Sequence, residues 1–232
     1  MKYGVLFLVI AVAFGVQAAI WGNFGWLLMW PALSFFLVAS AYFGARTDLF
    51  GKKRNGTMKW GCVVLLLPYL LLTWVLWHVV RLMAREKCWN EVVPGVYVGR
   101  RPLPYELPED VSLVVDLTAE FIEPRRIRKI GRYLCFPMLD TGIADTAEFR
   151  ELVRDVSSWP EPVYIHCAQG HGRTGTVAAA VLVAKGAAAT AGEAVQMLRS
   201  VRPALDLDKR QRKFVEAICE AGLGKGNSPD SV

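Results

Sequence analysis

The stretch Val163-Tyr164-Ile165-His166-Cys167-Ala168-Gln169-Gly170-His171-Gly172-Arg173-Thr174-Gly175 decides how the second half of this chain is read. It opens as an apolar run, passes through a loop holding two glycines, and continues into an Ala-rich segment over 176–182, so it reads strand, loop, helix. A loop of this kind aims successive backbone N–H groups at one point, and the helix behind it adds the positive end of its dipole. The product is a cradle for an oxyanion. A cysteine at the rim has its thiolate stabilised by the same field. Arg173, six residues after Cys167, can fold back and chelate two phosphate oxygens with its planar fork. Thiolate, nest and arginine are together what attack on a phosphomonoester requires.

The flanking sequence supplies the frame for such a loop. Runs 95–99, 112–117, 133–136 and 162–166 read as short strands. Asp145-x-x-Glu148, Thr190-x-x-Glu193 and Asp208-x-x-Gln211 read as capping boxes that open helices. Pro124 suits the first turn of a short helix through about residue 130, and Gly222 suits the stop of the last helix. Strands alternating with helices imply an α/β layer architecture with a largely parallel sheet. The reading divides the chain into a membrane domain over 1–83, a connector over 84–94, a globular domain over 95–222 and a polar tail over 223–232.

His166, Cys167, Arg173 and Thr174 match the H-C-x5-R-[S/T] signature of the cysteine-dependent protein tyrosine phosphatases. The chain resembles the dual-specificity and lipid-phosphatase-like branch of that superfamily. Glu91-Val92-Val93-Pro94-Gly95-Val96-Tyr97-Val98-Gly99 is similar to its opening strand, Val114-Val115-Asp116-Leu117 to its next, and Gln211 to a glutamine of its C-terminal helix. The resemblance spans about residues 89–221 and implies a phosphatase-like α/β fold with Cys167 as nucleophile. It implies phosphate binding by Arg173 and the N–H groups of Ala168, Gln169, Gly170, His171, Gly172 and Arg173. It also implies a general acid on a loop upstream of the cysteine. Asp140, 27 residues before Cys167 and just after the 133–136 strand, is the preferred candidate. Asp145 is the rival, and helix capping already explains it. Asp116 reads as a structural turn residue. His166 is expected to orient the loop by hydrogen bonding, and Thr174 to donate to the sulfur. His171 stands where lipid-phosphate members of the family often carry a basic residue, though a loop-filling histidine accounts for it equally. Neither a metal nor an organic cofactor is implied.

The front of the chain is of another kind. Three apolar runs, about 4–21, 24–44 and 60–80, enclose one charged stretch holding Arg46, Asp48, Lys52, Lys53, Arg54 and Lys59. Each run has the length that crosses a bilayer's hydrocarbon, about 20 helical residues. Pro31 and Pro68 lie inside two of them, as membrane helices tolerate, and Trp21, Trp26, Trp60 and Trp77 lie near the ends, where interfacial aromatics belong. Three crossings in succession would place residues 45–59 across the membrane from the globular domain. The excess of lysine and arginine on the 45–59 side then argues for a domain outside the cytoplasm, while a reactive thiolate argues for a reducing compartment.

Composition excludes two alternatives. The net charge of +6 comes entirely from residues 1–88, which carry nine Lys/Arg against two Asp/Glu, so no basic nucleic-acid-binding domain is present. Five cysteines without CxxC spacing form neither a disulfide framework nor a zinc site. The basic run Arg125, Arg126, Arg128, Lys129 and Arg132 reads as a solvated face that could also touch anionic headgroups. The sequence thus reads as a multi-pass membrane-anchored phosphatase acting on a phosphorylated lipid or protein. The alternative is a catalytically silent scaffold or phosphate-binding module on the same fold.

Overall fold

The computed structural model describes residues 2–222; the polar tail expected over 223–232 lies outside them. The two most apolar strand sequences, β3 (Leu113–Thr118) and β5 (Val163–Cys167), are buried along their whole length and lie side by side in a five-stranded sheet. The other strands are β1 (Trp89–Val93), β2 (Val96–Arg100) and β4 (Arg132–Met138), and the order across the sheet is β1-β2-β5-β3-β4. All neighbours run parallel except β1 and β2, which form an antiparallel edge pair. Strands buried on both faces read as continuous apolar runs, which is why β3 and β5 are legible as strands. β1 falls inside the stretch expected as a connector. Its half-buried sequence WNEVV pairs with only one neighbour and carries the weak pattern of an edge.

Four helices belong to the same domain: α4 (Thr146–Ser157) between β4 and β5, and α5 (Gly172–Ala184), α6 (Ala191–Val201) and α7 (Lys209–Glu220) after β5. Asp145, Thr190 and Asp208 all cap their helices, but only one of the three expected capping boxes closes. Asp145 accepts from the N–H groups of Ala147 and Glu148, Thr190 from that of Glu193, and Asp208 forms a reciprocal box with Gln211. α5 is the central helix, and its residues 177–182 are completely buried among the sheet and the other helices. The basic run after Pro124 shortens to a 3-10 turn, Ile127–Lys129.

The N-terminal segment forms α1 (Lys2–Ile20), α2 (Trp26–Gly44) and α3 (Trp60–Met83), each long and apolar enough to cross a membrane. Phe7, Phe35 and Tyr69 pack edge to face or tilted where the three meet, and Phe50 joins them from the 45–59 segment. Val5, Val9, Val12 and Val16 of α1 face outward. This bundle does not hang from the globular domain by a tether; it is docked on it. Lys52 Nζ donates to Asp116 Oδ2 at 2.9 Å with both side chains essentially inaccessible, to Thr118 Oγ1 at 3.3 Å, and to the Phe121 carbonyl. Arg128 Nη1 donates to the Asn55 carbonyl at 3.2 Å, and Glu123 N to the Gly56 carbonyl at 3.0 Å.

These contacts correct the expected arrangement of the 45–59 segment, because residues that touch the domain are not across a bilayer from it. Trp77 is corrected as well. It is buried, not interfacial, and its Nε1 donates to the Ala168 carbonyl at 2.8 Å. Asp116, read as a turn residue, is instead the buried anion of this interface, held also by Tyr133 Oη at 2.6 Å and the Thr118 N–H at 2.8 Å. Burial works against its charge, yet the Lys52 ammonium, helped by the Tyr133 hydroxyl, outweighs that and holds its carboxyl below the usual range. Burial likewise opposes the charge of Lys52, and Asp116 overcomes it, so the Lys52 pKa is raised. Lys52→Met should therefore destabilise the protein by about 3–5 kcal/mol, leaving an unpaired buried carboxylate. Adding Asp116→Asn should return most of the loss, and thermal unfolding of both variants in detergent measures it.

Candidate active site

Cys167 ends β5, and the loop 168–171 turns into α5 at Gly172. The Gly170 N–H donates to Cys167 Sγ at 3.2 Å. Gly170 adopts φ +75°, where an added Cβ would meet the backbone of Gly99 and Arg100, so glycine is required there. Three successive carbonyls of the loop are bound from outside. Ala168 O accepts from Trp77 Nε1 at 2.8 Å and from the Arg101 N–H at 3.2 Å. Gln169 O accepts from Arg202 Nη2 at 3.1 Å, and Gly170 O from Arg202 Nε at 3.0 Å. With these carbonyls engaged outside and the Gly170 N–H on the sulfur, the loop has the braced form that an oxyanion site over Cys167 requires.

Arg173 is buried, and its fork is not free as the sequence reading expects. Nη1 donates to Glu120 Oε2 at 3.0 Å and Nη2 to Glu120 Oε1 at 2.8 Å, while Nη1 also reaches the Met138 carbonyl at 3.0 Å. One bidentate edge of the guanidinium is thus occupied by Glu120. The edge formed by Nε and the second Nη2 hydrogen is open to a second bidentate acceptor, and Nε is buried without a hydrogen-bond partner among the described residues. Asp140 Oδ1 lies 3.7 Å from that Nε. Asp140 is half-exposed and shares one cavity with Cys167 and Arg173. Asp145 is engaged as the cap of α4 and does not line this cavity. Gln211 does, from the first turn of α7.

Three expectations change. Both ring nitrogens of His166 are buried without hydrogen-bond partners among the described residues, and the ring stacks on Tyr164 at 5.6 Å. Burial pushes its pKa down to about 4, so it is a neutral packing group and not a hydrogen-bonding orienter of the loop. The Thr174 hydroxyl is likewise buried and unpaired, because the sulfur takes its hydrogen bond from Gly170 N. His171 Nε2 lies 2.9 Å from Glu86 Oε2, which also pairs with Arg202 Nη2 at 3.0 Å, so His171 is tied to the outer brace of the loop. Asp116, Glu123 and His166 bring ligand-type atoms within 4.8 Å of one another. The Lys52 ammonium on Asp116 and Arg101 on Glu123 already balance that group's charge.

The sequence reading passes over Glu120, Arg202 and Trp74, and it assigns Lys52 and Trp77 other roles. Their partners lie 32 to 115 positions away along the chain, and none belongs to a short motif. Trp74 Nε1 donates to the Glu120 carbonyl at 2.9 Å, so the turn that aims Arg173 is gripped by α3 on one side and by Lys52 on the other.

Residues 109–217 match the family model described as "Swiss Army Knife protein, DSP-PTPase phosphatase domain". No curated protein matches the chain at a significant level. Among solved structures, the chain is similar to Tk-PTP in the active form, with 26% identity over 58% of this chain and 97% of that one and a TM-score of 0.51. It is also similar to PTPMT1 in complex with PI(5)P, with 20% identity over 58% and 96% and a TM-score of 0.50. Human DUSP28 matches with 16% identity over 59% and 95% and a TM-score of 0.50. The latter two likenesses are of fold. The Glu120 brace is open to a direct check: Glu120→Gln should weaken orthovanadate binding by about tenfold or more, a loss of about 1.4 kcal/mol, as read by calorimetry.

Proposed function

We propose that this chain, whose residues 109–217 match a dual-specificity phosphatase domain model, hydrolyses phosphomonoesters at a membrane through a phosphocysteine intermediate. The observation that carries the reading is the convergence of Cys167, Arg173 and Asp140 on one cavity of about 510 Å³. The Cys167 thiolate attacks phosphorus, the bond to the leaving oxygen breaks, and Asp140 gives that oxygen its proton. Asp140, now a carboxylate, takes a proton from water as the water oxygen attacks phosphorus. The S–P bond breaks, which returns the thiolate and releases inorganic phosphate. Arg173 and the loop N–H groups hold the phosphoryl oxygens through both steps. A silent phosphate-binding module would need none of these three side chains together, and their presence favours turnover.

The substrate reading is a lipid phosphate ahead of a phosphoprotein. Tyr3, Tyr42 and Leu76 of the N-terminal helices line the same cavity as Cys167, which supports a substrate drawn from the bilayer. Lys53, Arg54, Arg125, Arg126 and Lys129 are exposed on two segments joined by the Asn55–Arg128 contact, and this cationic surface suits anionic headgroups. The basic 45–59 segment touches the domain, so the positive-inside rule favours both on the cytoplasmic side, where a thiolate stays reduced.

Cys167→Ser should abolish turnover of p-nitrophenyl phosphate while orthovanadate binding survives. Asp140→Asn should lower kcat by roughly 10²–10⁴, the usual contribution of general acid–base catalysis. Asp145→Asn should leave kcat unchanged, and the reverse ranking of the two aspartates would reassign the acid. For the orientation, a cysteine introduced at Asn55 should resist an impermeant thiol reagent in intact cells and react once they are opened.

A further inference from the structure

We infer that the active-site cavity continues into a hydrocarbon-binding subsite built by the N-terminal helices, so that the substrate is a phosphomonoester with an aliphatic tail lying along α3. This deepens the phosphatase reading and rests on it. The cavity has two unlike kinds of wall. Cys167, Arg173 and Asp140 line it together with Phe7 of α1 and with Leu72, Leu76 and Val80 of α3, so charged and hydrocarbon walls share one space.

The last three residues carry the argument. They are spaced by four, so they form one stripe along a single face of α3. They line the cavity, yet they remain 43%, 52% and 44% exposed. The stripe therefore belongs at once to the cavity wall and to the apolar outer surface of the bundle, where Val75 and Val79 are also exposed. An apolar chain can pass along it from the bilayer to the phosphate loop without crossing water.

A peptide fits this wall poorly. Its backbone N–H and C=O groups would face Phe7, Leu72 and Leu76 with few partners, and each polar group buried without a hydrogen bond is costly. An aliphatic tail needs no partner and gains from leaving water. The volume of about 510 Å³ lies within the range of small-molecule sites, roughly 300–1,000 Å³. The bonds from Trp74 and Trp77 to the Glu120 and Ala168 carbonyls hold α3 against the catalytic elements, so tail and phosphate seats keep a fixed relation.

The test is a series of n-alkyl phosphates from ethyl to decyl, with p-nitrophenyl phosphate as reference, on the full chain in lipid nanodiscs. Each methylene that fits should raise kcat/KM about three- to fourfold until the subsite is full. The gain should appear in KM, since the tail binds equally in ground and transition states. Leu76→Trp, which fills the stripe, should flatten the series. Partition into the disc is common to both proteins, so the difference in slope reports the cavity alone. An unchanged thermal midpoint shows that α3 still packs, and Phe7→Trp repeats the test from a second helix if it does not. A flat series in the wild-type protein that still turns over p-nitrophenyl phosphate would overturn the subsite and leave the phosphatase reading intact. Equal slopes in the wild-type and filled variants would also overturn it, as would a phosphotyrosine peptide about a hundredfold better than octyl phosphate. Turnover of none of these esters would overturn the phosphatase reading itself.

Discussion

The buried pair of Lys52 and Asp116 is the contact on which the arrangement of this molecule rests. Asp116 sits on β3, in register with His166 on the neighbouring strand, one residue before the nucleophile. An unpaired carboxylate at that depth is untenable, and its counter-ion arrives from a segment between two apolar helices. Once Lys52 is seated, its remaining bonds to Thr118 and Phe121 fix both ends of the turn that carries Glu120. Glu120 in turn fixes Arg173. The chain of cause runs from a lysine between two apolar helices to the free edge of the Arg173 guanidinium, through contacts that are all buried or nearly so.

The same logic accounts for the bracing of the phosphate loop. Arg202, at the end of α6, reaches the carbonyls of Gln169 and Gly170 and also that of Lys87, so it ties the loop to the start of the domain. Trp77 does the corresponding work from α3 at Ala168. An oxyanion site gains most from dipoles oriented before the ligand arrives, since no reorganisation is then needed during the reaction.

Much of this was legible in the sequence, for local reasons. The strand–loop–helix at 163–182 is read from contiguous residues, the three helix starts from caps whose partners lie two or three positions away, and the apolar helices from length alone. Asp140 was reachable because it follows a strand at a suitable remove from Cys167. What stayed hidden depends on tertiary contact. Nothing near Glu120 signals that its carboxylate meets Arg173 53 positions later. Lys52 looks like one more cation in a basic loop, and Trp77 like an interfacial aromatic, until the partner surface is present. His166 shows the converse. The motif suggested a hydrogen-bonding role, and with β5 packed between two parallel strands neither ring nitrogen is hydrogen-bonded among the described residues.

The Lys52–Asp116 pair also bears on how such a protein can change over generations. A membrane anchor joined only by a linker is exchangeable, and its sequence drifts independently of the enzyme it carries. Here loss of the charge at position 52 strands an anion beside the nucleophile's strand, and loss of the charge at 116 strands a buried ammonium. Each single step is costly and the paired step much less so. The two positions, 64 residues apart, are bound to vary together, and the helices and the catalytic domain are inherited as one unit.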